Sequence, residues 1–408
     1  MLWLKKSEPI NRWVVVFASA LMLAVAMGAM VNGISVFFIP MRDEFGWQRG
    51  SVALINFFGI VGLALGGILM GRMADRFGTR KVCLFGSVVL GLAFLVASQL
   101  QVLWQYYVVF FIAGFFGSAA LFAPLLANVG NWFRTKPGLA IGVASAGQAL
   151  GQGGVPFATA FLIGAFGVQG AFGAMGLIAL STLVPLTLLI RQPVAPATDL
   201  HRGGLATDED SPVPISTNAV IVWMGAAVLF CCTTMAVPLI HLVPLIQDRG
   251  NSLEDASSVL FLMLLVAIAG RVAFGKLTDM IGAIPAYFLA SFWQTALVFM
   301  FIQIETLVGY YVFAAIFGFG YAGVMTTLLV CVRVLTPMSR RASALGIVLV
   351  FAWFGHAIGG YLGGVLFDMV GNYAASYAVA TLAGVVNLII VGSLFWTVGR
   401  GRAVPVAT

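Results

Sequence analysis

The chain has 408 residues, 61% of them hydrophobic and only 9% charged, with a mean hydropathy of +1.04. Soluble globular domains carry about 25% charged residues, so this composition has no polar surface for water and excludes a cytosolic enzyme, a secreted module and a disordered chain. The net charge of +7 is spread thinly between apolar runs, with no basic cluster for a nucleic acid to bind, as in a polytopic membrane protein.

A membrane-spanning helix needs about 20 apolar residues. In chain order, such stretches lie near 13–39, 50–71, 82–99, 104–131, 138–165 and 169–190. Six more lie near 219–247, 254–275, 284–303, 307–335, 342–366 and 373–397, and the twelve are numbered here as spans 1 to 12. The first apolar run, after a short polar N-terminus, is too long for a signal-peptide core and reads as span 1. Residues 191–218 hold four prolines and most of the mid-chain charge, and read as a cytoplasmic linker. The expected fold is an all-α membrane protein of two six-helix bundles, 1–190 and 219–408, joined by that linker. With both termini cytoplasmic, seventeen of the 21 Lys and Arg fall on the inner side; Arg42, Arg49 and Arg249 fall outside, and Arg271 lies within span 8. Cys83, Cys231, Cys232 and Cys331 sit in apolar runs without metal-ligand spacing, so they read as buried thiols, and no metal or cofactor is expected.

The two halves read as copies. A shift of 204 residues superposes Pro40 on Pro244, Gly46 on Gly250, Gly71 on Gly275, Asp75 on Asp279 and Gly78 on Gly282. The same shift superposes Gly114 on Gly318, Gly142 on Gly346 and Gly151 on Gly355. One register held through spans and loops is the mark of a transporter whose two bundles rock about a central site.

Between spans 2 and 3 the chain reads Gly71-Arg-Met-Ala-Asp75-Arg76-Phe-Gly78-Thr-Arg80-Lys81. This resembles the G-x-x-x-D-R-x-G-R-[KR] loop of the major facilitator superfamily. A weaker copy, Gly275-Lys-Leu-Thr-Asp279-Met-Ile-Gly282, stands between spans 8 and 9, where that fold places it. The glycines suit close helix packing and a tight turn, and the aspartate can latch the cytoplasmic side by accepting bonds from basic groups or a helix N-terminus. Gly71, Asp75, Arg76, Gly78, Arg80, Gly275 and Asp279 are therefore expected to gate, not to bind substrate.

Within that superfamily the chain is similar to the monocarboxylate porter family, which includes the animal lactate/pyruvate carriers and the bacterial oxalate:formate antiporter. The resemblance is carried by Asn32-Gly-Ile-Ser-Val-Phe-Phe-Ile-Pro40 with Glu44-Phe-Gly-Trp47, by Asn131-Trp-Phe-Arg134 with Gly138-Leu-Ala-Ile-Gly142, and by Arg271-Val-Ala-Phe-Gly275. It runs over nearly the full length and implies alternating-access transport of a small carboxylate.

A charge in a helix core costs about 2.5–3.5 kcal/mol even on the lenient insertion scale, so Arg271 needs a partner or a purpose. All fourteen Asp and Glu lie in loops, the linker, the tail or at span edges. By spacing alone, Arg271 either faces a cavity and grips a planar carboxylate with two bonds or snorkels to the headgroups. The resemblance favours binding, because the family's carboxylate-binding arginine stands at this position before the glycine. A single cation suits a mono-anion. Arg333, near the cytoplasmic end of span 10, reads as a snorkelling or gating residue.

Polar residues that break the 204-residue symmetry are further candidates: Gln152 falls on His356, Gln148 on Ala352, Asn32 on Ala236 and Tyr321 on Gly117. Gln148 and Gln152 share one face of span 5. Each glutamine has a plain alternative in a helix–helix hydrogen bond, His356 in a packed ring, and Tyr321 in structural packing. His356 stands where the oxalate antiporter carries a lysine as its second cation. Two departures from the animal carriers bear on protons: their span-1 lysine falls on Asn32 and their span-8 aspartate on Ala267. His356 and His241 are the histidines within spans and the candidates for proton coupling.

The expected function is proton symport of a small monocarboxylate such as L-lactate or pyruvate, with Arg271 as anchor and Asn32, Tyr321, Gln152 and His356 around it. The expected setting is a bacterial inner membrane, with the protein working as a monomer. The rival readings are a carboxylate antiporter of the oxalate:formate type and a non-transporting nutrient sensor. No enzyme is expected, since no clustered nucleophile and base lie at one depth.

Overall fold

The computed structural model describes residues 11–133, 137–192, 215–337 and 340–402, and they are helical nearly throughout. Among them, eleven helices are long and apolar enough to cross a membrane. One of these, Ala140–Thr187, has 48 residues, far more than a bilayer admits. It is broken at Gly167, whose backbone (φ 70°, ψ −177°) is not helical, so it comprises spans 5 and 6. The twelve spans expected from the sequence are present. Span 2 is Arg49–Phe77, span 3 Thr79–Ala97, span 7 Thr217–Gln247 and span 8 Leu253–Ile281. Spans 9 to 12 are built on Ala283–Val298, Leu307–Leu335, Arg341–Val370 and Ala374–Arg402. Most of the expected linker, 193–214, lies outside the described residues.

The pseudo-symmetry extends from sequence to backbone. Six glycines adopt positive φ, and they form three pairs 204 residues apart: Gly46 and Gly250 (72° and 83°), Gly78 and Gly282 (92° and 91°), Gly167 and Gly371 (70° and 78°). Each stands where the chain turns between helices in a conformation that disfavours a Cβ. Packing repeats as well. A Cβ on Gly66 would strike the Phe115 carbonyl oxygen, and one on Gly270 the Phe319 carbonyl oxygen, the same contact one repeat later. Such close crossings replace the hydrophobic drive that is missing between helices in lipid.

Two spans are less regular than their apolar patterns suggest. Span 1 is α-helical over Asn11–Met27, widens to a π turn at Gly28–Asn32, then tightens to a 3₁₀ turn at Gly33–Val36. A short helix, Phe38–Phe45, follows. Span 4 carries a π turn at Ala113–Ser118 between Leu103–Ile112 and Ala119–Trp132.

The two faces of the bundle differ. On the face opposite the Gly71–Lys81 loop, spans 2 and 11 meet closely: Gly364 lies against the Arg49 carbonyl, Gly50 and Ala53. Toward that same face, spans 5 and 8 touch where Gly153 meets Phe261 and Leu264, and Phe157 stacks on Phe261 at 5.6 Å. On the motif face, Asp279 is exposed, Arg76 and Arg80 are exposed, and the side chain of Asp75 lies outside the described part. The expectation of close packing at Gly71 and Gly275 needs correction for this conformation. Among the described residues, a Cβ at Gly71 would meet nothing within 4 Å, and one at Gly275 only the Thr326 methyl at 3.6 Å. The motif glycines that the local geometry requires are Gly78 and Gly282.

Candidate functional site at the interface of the halves

Span 5 organises the centre. Ser145, Gln148 and Gln152 follow one another at three and four residues, so they line one face of this helix. Arg271 of span 8 is half-buried and crosses between the halves, its Nη1 donating to the Ser145 carbonyl at 3.3 Å. Its Nε is buried without a partner. Among the described residues it makes no ion pair, as the absence of acids within spans anticipated. The side chain thus reaches the facing bundle and keeps unused donor capacity.

Asn32 docks on the same helix. It is fully buried at the end of the π turn, with Nδ2 donating to the Gln152 carbonyl at 3.2 Å and Oδ1 without a partner. The carbonyls that receive Arg271 and Asn32 are seven residues apart on span 5, about 10 Å along a helix. Arg271 and Asn32 thus dock on span 5 about two turns apart.

The broken stretch of span 1 is held by a residue that sequence reasoning missed. Asn56 of span 2 donates from Nδ2 to the carbonyls of Met30 (3.1 Å) and Val31 (3.0 Å). A π turn next to a 3₁₀ turn disturbs the regular ladder, and buried carbonyls left bare in lipid are costly. Asparagine supplies the donors from the neighbouring helix. A lone asparagine within an apolar run was the available signal.

Tyr321 of span 10 is buried, its ring stacked on Phe317 at 6.0 Å. Gln152 is buried and Gln148 half-buried. His356 of span 11 is buried with Nε2 unpartnered, and its ring meets Trp353, which in turn touches Phe122 of the other half at 5.7 Å. Arg271, Asn32 and His356 thus share an unmet capacity for hydrogen bonds, which a polar ligand can satisfy.

His241 belongs elsewhere. It is fully buried toward the face opposite the motif, with Nε2 donating to the Gly360 carbonyl at 2.7 Å and Nδ1 3.3 Å from the Tyr373 hydroxyl. A carbonyl only accepts, so Nε2 carries a proton, and in the neutral ring Nδ1 then accepts from the Tyr373 hydroxyl. Arg333 is exposed at the end of span 10. The Asn131-Trp-Phe segment has a structural role: Trp132 Nε1 and Asn128 Nδ2 both donate to the Arg191 carbonyl at the end of span 6. Arg134, next in that segment, lies outside the described residues.

Among the described residues no group of three or more His, Cys, Asp or Glu is placed to hold a metal ion. The four cysteines are buried and unpaired with one another.

Comparison with known proteins agrees with this architecture. Rat monocarboxylate transporter 13 is 26% identical over 403 residues, covering 96% of this chain and 92% of its own length. The MFS-type transporter pynF of Aspergillus niger is 26% identical over 370 residues, covering 88% and 82%. The crystal structure of a point mutant of the nucleoside transporter NupG superposes with a TM-score of 0.73 at 12% identity, covering 95% and 99% of the two chains, a likeness of fold. The model of the Major Facilitator Superfamily matches residues 20–337 and 222–407. With its repeated halves and paired turn glycines, the chain belongs to the Major Facilitator Superfamily of membrane transporters.

Proposed function

We propose that this transporter carries small monocarboxylates such as L-lactate or pyruvate with a proton, by alternating access between bundles 1–190 and 219–408. One observation carries the reading: the half-buried Arg271 has no acidic partner among the described residues, reaches across to span 5, and keeps Nε unused. An uncompensated guanidinium attracts an anion, and its planar fork matches a carboxylate. Tyr321 is assigned to the same carboxylate, and Asn32 and Gln152 to a hydroxyl or keto group at the other end of the substrate. His356, with its free Nε2, is the proton-coupling candidate; His241 is engaged in a separate network. The similarity to monocarboxylate transporter 13 supports the same cargo class.

The proposed setting is a bacterial inner membrane with both termini cytoplasmic, supported by the excess of Lys and Arg on the motif face. The motif face is then the inner face. A monomer holds the whole site, since both bundles that form it belong to one chain.

The test is uptake of labelled L-lactate into proteoliposomes with and without an inward proton gradient and with no internal substrate. Gradient-driven accumulation is expected, and Arg271→Ala should abolish it. Unchanged affinity and rate in Arg271→Ala would remove the assignment. The absence of an acid at Ala267 favours one second reading, an oxalate:formate type antiporter. It would appear as exchange that requires carboxylate inside the vesicle and ignores the proton gradient.

A further inference from the structure

A second charged centre lies on the face opposite the motif, and binding of a carboxylate at Arg271 does not require it. Arg49, the first residue of span 2, is only 2% exposed. Its guanidinium makes a two-pronged ion pair with Asp248 at the end of span 7, Nη1 to Oδ2 at 2.6 Å and Nη2 to Oδ1 at 2.5 Å. Nη1 also donates to the Tyr373 hydroxyl at 2.9 Å, and the guanidinium lies 3.8 Å above the Phe367 ring. All of these partners belong to the other bundle.

The backbone completes the junction. Asp368 of span 11 accepts from the amide of Arg49 at 3.0 Å and from that of Gly50. This carboxylate occupies the N-terminus of span 2, where unpaired amides and the helix dipole favour an anion. Span 8, the copy of span 2 one repeat later, provides for itself: the Ser252 hydroxyl accepts from the Asp255 amide, with Glu254 and Asp255 in its first turn. Span 2 has no side-chain cap from Gln48 and no acid in its first turn. It takes its anion from the opposite bundle, so separating the halves on this face exposes a helix end and splits an ion pair together.

The Tyr373 hydroxyl accepts from Arg49 and lies 3.3 Å from His241 Nδ1, so it bridges the two. His241 in turn holds the Gly360 carbonyl, one turn beyond His356 on span 11. The junction is thus joined to the helix that carries a candidate site residue.

We propose that Arg49 is the gating residue of this face: its bonds to Asp248 and Tyr373, with Asp368 on its helix end, hold the halves closed here while the motif face is apart, and their release permits the opposite state. The proposal needs only that the two bundles rock; it does not depend on the cargo being a carboxylate. Labelling without substrate therefore separates its failure from that of the transport reading.

The reporter is Ala53→Cys, placed at a residue that is 1% exposed and packed against Gly364 in the closed junction. The purified full-length protein, free of substrate, is treated with a membrane-impermeant maleimide. In this background Arg49→Ala and Asp248→Asn should each raise the labelling rate of the introduced thiol roughly tenfold, the response to a tenfold change in the open population. Arg49→Lys, which keeps the charge and loses the fork, should raise it less. The exchange Arg49→Asp with Asp248→Arg should return the rate toward that of the parent. The buried native cysteines report unfolding, and they should stay unlabelled. If Arg49→Ala does not fold, Asp248→Asn and Arg49→Lys carry the test. An unchanged labelling rate in the folded variants would overturn the proposal, and so would a rise matched by labelling of Cys83 and Cys331.

Discussion

At the scale of single residues, Arg271 and Arg49 show how one side chain acquires opposite uses. Arg49 meets an acid, a phenol and an aromatic face, so its charge is compensated within the protein. Arg271 meets one backbone carbonyl and leaves Nε idle. Arg271→Lys tests whether the fork matters there. A lysine retains the charge and loses the two-point grip, so the KM for L-lactate should rise roughly tenfold, about 1.4 kcal/mol. Initial rates of uptake against substrate concentration measure it, and an unchanged KM would indicate a simple point charge. Asn56 has a different task, because its amide serves two carbonyls of a disturbed helix. Asn56→Ala should cost about 1–3 kcal/mol, the range for buried groups left without partners. A fall in the melting temperature of the detergent-purified protein is the readout.

At the scale of elements, the glycines sort by geometry and not by motif. Gly66 and Gly270 let spans 2 and 8 cross spans 4 and 10 at backbone contact. Gly270→Val should destabilise by about 1–3 kcal/mol, as overpacking does, and Gly66→Val by a similar amount because the contact is the same one repeated. Gly275→Ala should be nearly neutral in melting experiments, within about 0.5 kcal/mol, since among the described residues only a methyl at 3.6 Å faces it. The twelve spans and their turns were legible because apolar length and turn glycines are local signals. The break in span 1 was not legible. Gly28–Val36 reads as continuous apolar helix, and its disturbance becomes tolerable only where Asn56 and the span 5 carbonyl supply partners.

At the scale of the whole molecule, the halves are joined on one face by a junction in which all the side-chain partners of Arg49 come from the opposite bundle. In the gating proposal, opening this face separates the Arg49–Asp248 pair and bares the N-terminus of span 2, which Asp368 caps in the closed junction. Transport adds a further whole-molecule constraint. If a monocarboxylate anion moves together with one proton, no net charge crosses the bilayer. A membrane potential of 100 mV should then change lactate accumulation little, against about 2.3 kcal/mol, or roughly fiftyfold, for an uncompensated charge. Accumulation measured with and without a potassium diffusion potential decides it, and a large voltage response would exclude electroneutral symport.

The sequence alone determined what depends on composition, local backbone preference and repetition. Twelve spans follow from apolar length and the charged or glycine-proline breaks between them, and the pairing of halves from one offset of 204 residues. It also singled out Arg271, because a charge without an acid in reach is visible in a list of residues. Tertiary structure decided which polar groups use their hydrogen bonds on one another. His241 looked like His356 in sequence, yet one is bound to Gly360 and beside Tyr373 while the other keeps Nε2 free. Arg49, Asp248 and Asp368 looked like charges at span ends, 199 and 319 residues apart in the chain. Only the docking of two bundles brings them into one junction, because partners so distant along a chain are selected by packing and not by any local pattern.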